Sequence, residues 1–141
     1  MEKLPKKYLS TKLNNKNMET IFSKIGLTLV GVLPKNWEKA LLFAQITDGS
    51  YELFYYVKIN GAYYSNFDLE KTEYGISRKE VRECFRNIYG VLLPDYHEKG
   101  WYAMTYILSK SGEFTVDYEY TDYSEDSLSY KKIWKEKYIE E

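Results

Sequence analysis

The chain has 141 residues, 20 Lys plus Arg against 21 Asp plus Glu, and a net charge of -1; one domain of that length buries roughly 70% of its unfolded surface, so a core forms without staples. One cysteine, Cys84, excludes an intrachain disulfide, no basic-then-apolar signal segment opens the chain, and no apolar run approaches the ~20 residues of a bilayer span, so a reducing cytoplasm is the expected compartment. The charge is uneven, with eight Lys against three acids up to Thr47 and twelve Lys or Arg against eighteen acids afterwards, a balance that excludes a broad phosphate-binding surface.

Residues 1–16, MEKLPKKYLSTKLNNK, are Lys- and Asn-rich with weak periodicity and read as a leader outside the core, ahead of a single domain over 17–141. From Met18 the apolar positions Ile21, Phe22, Ile25, Leu29, Val32 and Leu33 keep the three-and-four spacing of one helical face, and Pro34 is the expected stop. Gly26 and Gly31 inside that run permit close approach by a neighbouring element. EKALLFAQIT and YELFYYVKI, separated by the turn signal DGS, predict two strands of a hairpin. Asn60-Gly61 predicts a type I′ turn into a third strand, AYYSNF, with Ile59 opposite Ala62 and hence Phe54 opposite Phe67.

Ser77 and Glu80 are spaced as a capping box, with Ile76 and Val81 placed for a hydrophobic staple, so a helix starts here. Its buried stripe is Val81, Cys84, Phe85, Ile88, Tyr89 and Leu92, and Gly90 or Pro94 is the expected end. WYAMTYILS and EFTVDYEY flank Ser111-Gly112 as a second hairpin, and SLSYKKIWKEKYIE closes the chain as a short helix with Leu128, Ile133, Trp134 and Tyr138 near one side. The order helix, three strands, helix, two strands, helix predicts an α+β domain: an antiparallel sheet with helices packed mainly on one face.

Few of these residues carry chemistry. With His97 the only histidine, no Cys/His spacing supports a metal, and Cys84 on an apolar stripe reads as a small hydrophobe. No phosphate loop, dinucleotide fingerprint or nucleophile elbow is present, so no catalytic residue, metal or cofactor is expected. Asp117 and Glu119, two apart on a strand, lie roughly 6 to 7 Å apart at Cα on one face; that spacing could hold a divalent cation or serve as an acid/base pair for a small hydrolase, or be simply the wet side of an amphipathic strand. The tyrosines of YELFYYVK could stack bases, but phosphates would meet Asp48, Glu52, Asp68 and Glu70, so direct nucleic-acid binding is not expected.

Sixteen tyrosines are too many rings for one core, and residues 114–127, FTVDYEYTDYSEDS, add five carboxylates without a Lys or Arg. If Ser111-Gly112 is a two-residue turn, Tyr106 faces Asp117, Met104 faces Glu119 and Thr105 faces Tyr118. One face of the hairpin then carries Tyr102, Met104 and Tyr106 interleaved with Asp117 and Glu119, a mixture suited to a protein interface, unless the last helix or the leader covers it.

Taken together, VLPKNWEKALLFAQITDGSYELFYYVK, GEFTVDYEYTDYSED and IWKEKYI resemble, in order and spacing over about residues 18–139, the YezG/EsaG-like family of immunity proteins, or antitoxins, of Gram-positive bacteria. The resemblance implies a non-enzymatic cytoplasmic α+β protein that neutralises the C-terminal nuclease domain of a cognate secreted toxin, commonly one exported by a type VII system. It implies no membrane partner and leaves self-association open. A nuclease presents a positive cleft, so the expected partner surface is Asp117, Glu119, Asp122, Glu125 and Asp126 for steering, with Tyr106, Tyr118 or Tyr123 as anchors. Blockade of the cleft and distortion of the toxin fold are both compatible with it, and a chaperone for an export substrate is a further alternative.

Overall fold

The computed structural model describes residues 16–72 and 74–139, so of the expected leader only Lys16 falls within it. Helix α1, Lys16–Val30, buries Phe22, Ile25 and Leu29 through the predicted spacing. It stops before Pro34. The amides of Gly31, Val32 and Leu33 bond to carbonyls three residues back, and these tighter turns keep Val32 and Leu33 in the core outside the α-helix.

Strands β1, Lys39–Ile46, and β2, Tyr51–Ile59, pair antiparallel with Phe43 opposite Phe54. Asn60 and Gly61 take φ of 51° and 82°, the positive values a type I′ turn requires, and Ile59 pairs with Ala62 as expected. Strand β3, Ala62–Ser65, is shorter than AYYSNF. Ser65 and Asp68 form a capping box that starts a one-turn helix, α2, Asn66–Leu69, so Phe67 does not pair with Phe54 and is left 59% exposed. The Asn66 carboxamide oxygen accepts from the Tyr55 amide at 2.9 Å, a side-chain bond made just where the ladder stops.

Helix α3, Arg78–Lys99, starts with the predicted box between Ser77 and Glu80 but runs through both expected breakers. Pro94 lacks the N–H that would bond the Gly90 carbonyl, and Gly90 is on the exposed side where water can take over. Burial of Leu92 and Asp95 on the other side holds the helix together until Gly100, which closes it in the left-handed region at φ 69°.

Strands β4, Ala103–Ser109, and β5, Phe114–Glu119, form the second hairpin, with a register one residue away from expectation. The loop holds three residues, Lys110, Ser111 and Gly112: Gly112 donates to the Ser109 carbonyl and Ser109 to the Glu113 carbonyl, both at 2.9 Å, with Gly112 at φ 97°. Tyr106 is therefore opposite Val116, and Thr105 opposite Asp117. A one-residue slip exchanges the faces of a strand, so Tyr106, Met104 and Leu108 turn into the main core. A short 3-10 turn, Ser124–Asp126, leads into α4, Ser127–Tyr138.

The sheet is antiparallel throughout, in the order β3-β2-β1-β4-β5, and the class is α+β. Helices α1 and α3 cover one face and enclose the main core, while α4 lies on the other face over Phe43 and Ala103. The central strand β1 is thus buried on both sides. Among the described residues no helix is long and apolar enough to cross a membrane.

Candidate functional site

Along β5, Thr115, Asp117 and Glu119 point to the α4 side, whereas Phe114, Val116 and Tyr118 point to the main core. Helix α4 meets this strand with an aromatic stripe at four-residue intervals: Tyr130, Trp134 and Tyr138. Trp134 is the anchor. It is 3% exposed, donates its indole N–H to Thr105 Oγ1 at 2.8 Å, and meets Phe43 and Phe54 edge-on at 5.6 and 5.3 Å.

Between β5 and α4 lies a cleft of about 200 Å³ whose lining includes Asp117, Glu119, Tyr130, Trp134 and Tyr138, with Lys137 the one cation among its described lining residues. At its floor the Tyr138 hydroxyl donates to Asp117 Oδ2 at 2.7 Å. Burial and that bond to Asp117 push the Tyr138 phenol above its ordinary pKa, so it stays protonated as a donor and is no proton source near neutral pH. Among the described residues no cluster of His, Cys, Asp and Glu could hold a metal ion.

Beyond the strand, Tyr123 stacks on Tyr130 at 4.5 Å with an 8° interplanar angle, and Tyr102 meets both rings edge-on at 6.0 and 5.8 Å. This trio ties the start of β4, the loop and α4 together. The loop carboxylates are held by local turns: Asp122 Oδ1 accepts from the Ser124 amide at 2.8 Å, and Glu119 Oε2 from the Thr121 amide at 3.0 Å. The bond from Ser124 keeps the Asp122 carboxyl below its usual range, so it is ionised at neutral pH. Glu125 and Asp126 are exposed in the 3-10 turn at the head of α4, where negative charge also favours the helix dipole. Among the described residues none of Asp117, Glu119, Asp122, Glu125 and Asp126 has an ion-pair partner.

The structure thus brings together Asp117, Glu119, Asp122, Tyr123, Glu125 and Asp126 as an acidic arc along β5 and the entry to α4. Two candidates fall outside it. Tyr106 is fully buried, its ring stacked at 6.0 Å on Phe22 and its hydroxyl donating to the Phe22 carbonyl at 2.8 Å; the register places it in the core, not on a partner surface. Tyr118 projects from the opposite face, accepting from Lys99 Nζ at 3.0 Å and donating to Asp95 Oδ2 at 3.2 Å. Asp95, 4% exposed, also takes Lys99 at 2.8 Å and the Trp101 indole at 3.1 Å, so Tyr118 fastens β5 to α3. The arc instead gains Tyr102, Tyr130 and Tyr138; the four-residue spacing of Tyr130, Trp134 and Tyr138 was the signal that α4 would meet the strand.

Comparison with known proteins decides the family. A model described as immunity protein YezG-like matches residues 18–141. The chain belongs to the YezG-like family of immunity proteins. It is 26% identical over 137 residues to Immunity protein YezG of Bacillus spizizenii, covering 86% of this chain and 82% of that protein. It is 27% identical over 125 residues to Immunity protein YezG of Bacillus subtilis, with 82% of each chain covered. Similarity also extends to the Staphylococcus aureus protein named Type VII secretion system protein EsaG, 24% identical over 116 residues, covering 75% of this chain and 69% of that one.

Proposed function

We propose that this protein is an immunity protein that binds the nuclease domain of a cognate secreted toxin in the producing cell and holds it inactive by occupancy, without turnover. The observation carrying the reading is the arc itself: five carboxylates without cationic partners among the described residues, set beside a rigid tyrosine trio in a chain of an immunity family. A nuclease needs a positive cleft to hold phosphate. Half-buried carboxylates on the strand and exposed ones in the turn accelerate encounter with such a cleft, and the rings Tyr102, Tyr123 and Tyr130 lengthen residence once water is expelled. Similarity to a protein named for type VII secretion supports a toxin exported by that route.

The test is co-expression with the C-terminal domain encoded by the reading frame immediately upstream. Rescue of growth, and nuclease activity that falls to zero at one equivalent of the purified protein, are the expected results. Replacing Asp122, Glu125 and Asp126 together by Lys should slow association at least tenfold at low salt and flatten its salt dependence. An unchanged rate rejects the electrostatic role, and loss of toxicity at a small fraction of an equivalent points to an enzyme instead.

A further inference from the structure

The two ends of the sheet are finished differently. At the β3 end the strand stops after Ser65 and the chain turns into α2, whereas β5 runs from Phe114 to Glu119 as the other edge. Antiparallel geometry fixes which backbone groups look outward. Ser109 donates to the Glu113 carbonyl across the loop and Tyr102 to the Glu119 carbonyl at the far end, so Thr115, Asp117 and Glu119 turn their N–H and C=O toward β4. Val116 and Tyr118 turn theirs away. Among the described residues no element lies beyond β5 to receive them.

We propose that this outer edge of β5 is a strand-docking site for an extended partner segment with Lys or Arg at alternate positions and apolar residues between them. It deepens the immunity reading, and rests on it, by assigning the form in which the toxin is held. Charge selects the occupant. A strand laid on this edge sets one row of its side chains beside Asp117 and Glu119 and the other beside Val116 and Tyr118, so a cationic row and an apolar row meet complementary neighbours. A second copy fits worse: antiparallel self-pairing centred on Val116 brings Glu119 of each copy against Glu113 of the other.

Hydrogen exchange of the complex with the upstream-encoded toxin domain tests this at single amides. In the unbound protein the Val116 and Tyr118 amides should exchange fast and those of Thr115 and Asp117 slowly; binding should slow Val116 and Tyr118 at least tenfold and leave the other two nearly unchanged. A Val116→Pro variant removes one outward N–H without touching a bond to β4, so it should fold as wild type by circular dichroism and bind at least tenfold more weakly, about the worth of one lost hydrogen bond plus a steric block. Val116→Thr should bind within about twofold of wild type. A complex in which Val116 and Tyr118 still exchange fast, or a folded Val116→Pro protein of undiminished affinity, overturns the inference while leaving the immunity reading intact. Failure of the wild-type protein to bind at all overturns both.

Discussion

Gly26→Ala should destabilise the protein, although alanine is the better helix former by about 1 kcal/mol. A Cβ on Gly26 would lie 2.7 Å from the Tyr106 hydroxyl, inside any tolerated contact. The hydroxyl has little room to retreat. Its ring stacks on Phe22 at 6.0 Å and Phe114 at 5.5 Å, and its proton goes to the Phe22 carbonyl at 2.8 Å. Overpacking of this kind costs about 1–3 kcal/mol and the displaced hydrogen bond about 1 kcal/mol more, so after the helix gain the net loss is ~1–3 kcal/mol. The Phe22 carbonyl also accepts the helix bond from residue 26, so Tyr106→Phe alone leaves no orphan acceptor and should cost only about 1 kcal/mol. With the hydroxyl gone, the methyl has space. Urea denaturation of the two single variants and the double should therefore show a coupling of about 2 kcal/mol, with Gly26→Ala neutral or stabilising in the Tyr106→Phe background. Equal cost of Gly26→Ala in both backgrounds would refute the contact, and weakened toxin binding by a folded Tyr106→Phe protein would refute its assignment to the core.

Trp134→Ala should cost about 3–5 kcal/mol in urea denaturation and expose the aromatic underside of α4, whereas Trp134→Phe, which keeps most of the packing but loses the bond to Thr105, should cost less. The Tyr102 hydroxyl is sealed without a hydrogen-bond partner among the described residues, so Tyr102→Phe should raise stability by up to about 1 kcal/mol, checked by thermal melting. Burial is the main force raising the phenols of Tyr118 and Tyr130 to about 12 from 10.0 in the unfolded chain. Because the raised values belong to the folded state, their stabilisation is intact below pH 10 and is lost as pH climbs toward 12, so the melting temperature should fall across that window. Lys99 drifts in the same direction: burial alone lowers its pKa, but its bonds to Asp95 and Tyr118 outweigh that and raise it. Tyr118→Phe should blunt the alkaline fall, read alongside tyrosinate absorbance.

Elements whose signals are local were legible in the residues. The box at Ser77 and Glu80, the Asn60-Gly61 turn and the stripe of α1 each depend on neighbours within a turn, and each appears where the spacing puts it. What failed depended on a count or on tertiary burial. Ser111-Gly112 on its own predicts a two-residue turn, yet a type I′ turn wants positive φ at both positions and serine is a poor occupant of the first. A lone glycine in second place is better served by the three-residue loop from Lys110 with Gly112 left-handed. That single residue moved Tyr106 from the supposed surface into the core. Pro94 was a fair local stop, overruled because Leu92 and Asp95 are buried against the sheet side. The spacing of Ser65 and Asp68 did announce the turn that shortened β3, but the β-rich AYYSNF masked it.

The same slip changes what the acidic surface is made of. In the expected register the carboxylates would share a hairpin face with Tyr102, Met104 and Tyr106, open to a partner unless the last helix or the leader covered it. In the observed register Asp117 and Glu119 share their face with α4, and Tyr138 holds Asp117 while the ring of Tyr130 packs on Tyr123. The arc's geometry therefore depends on a helix seated mainly through Trp134, Tyr130 and Tyr138, on the side of the sheet away from the main core. Acids in the loop keep their long-range field whether or not that helix is docked, because steering depends on charge more than on exact placement. The rings do not: a tyrosine contributes to residence only when it is held where the partner needs it. Loosening α4 should thus leave the association rate nearly intact and raise the dissociation rate, the opposite partition to charge reversal in the loop.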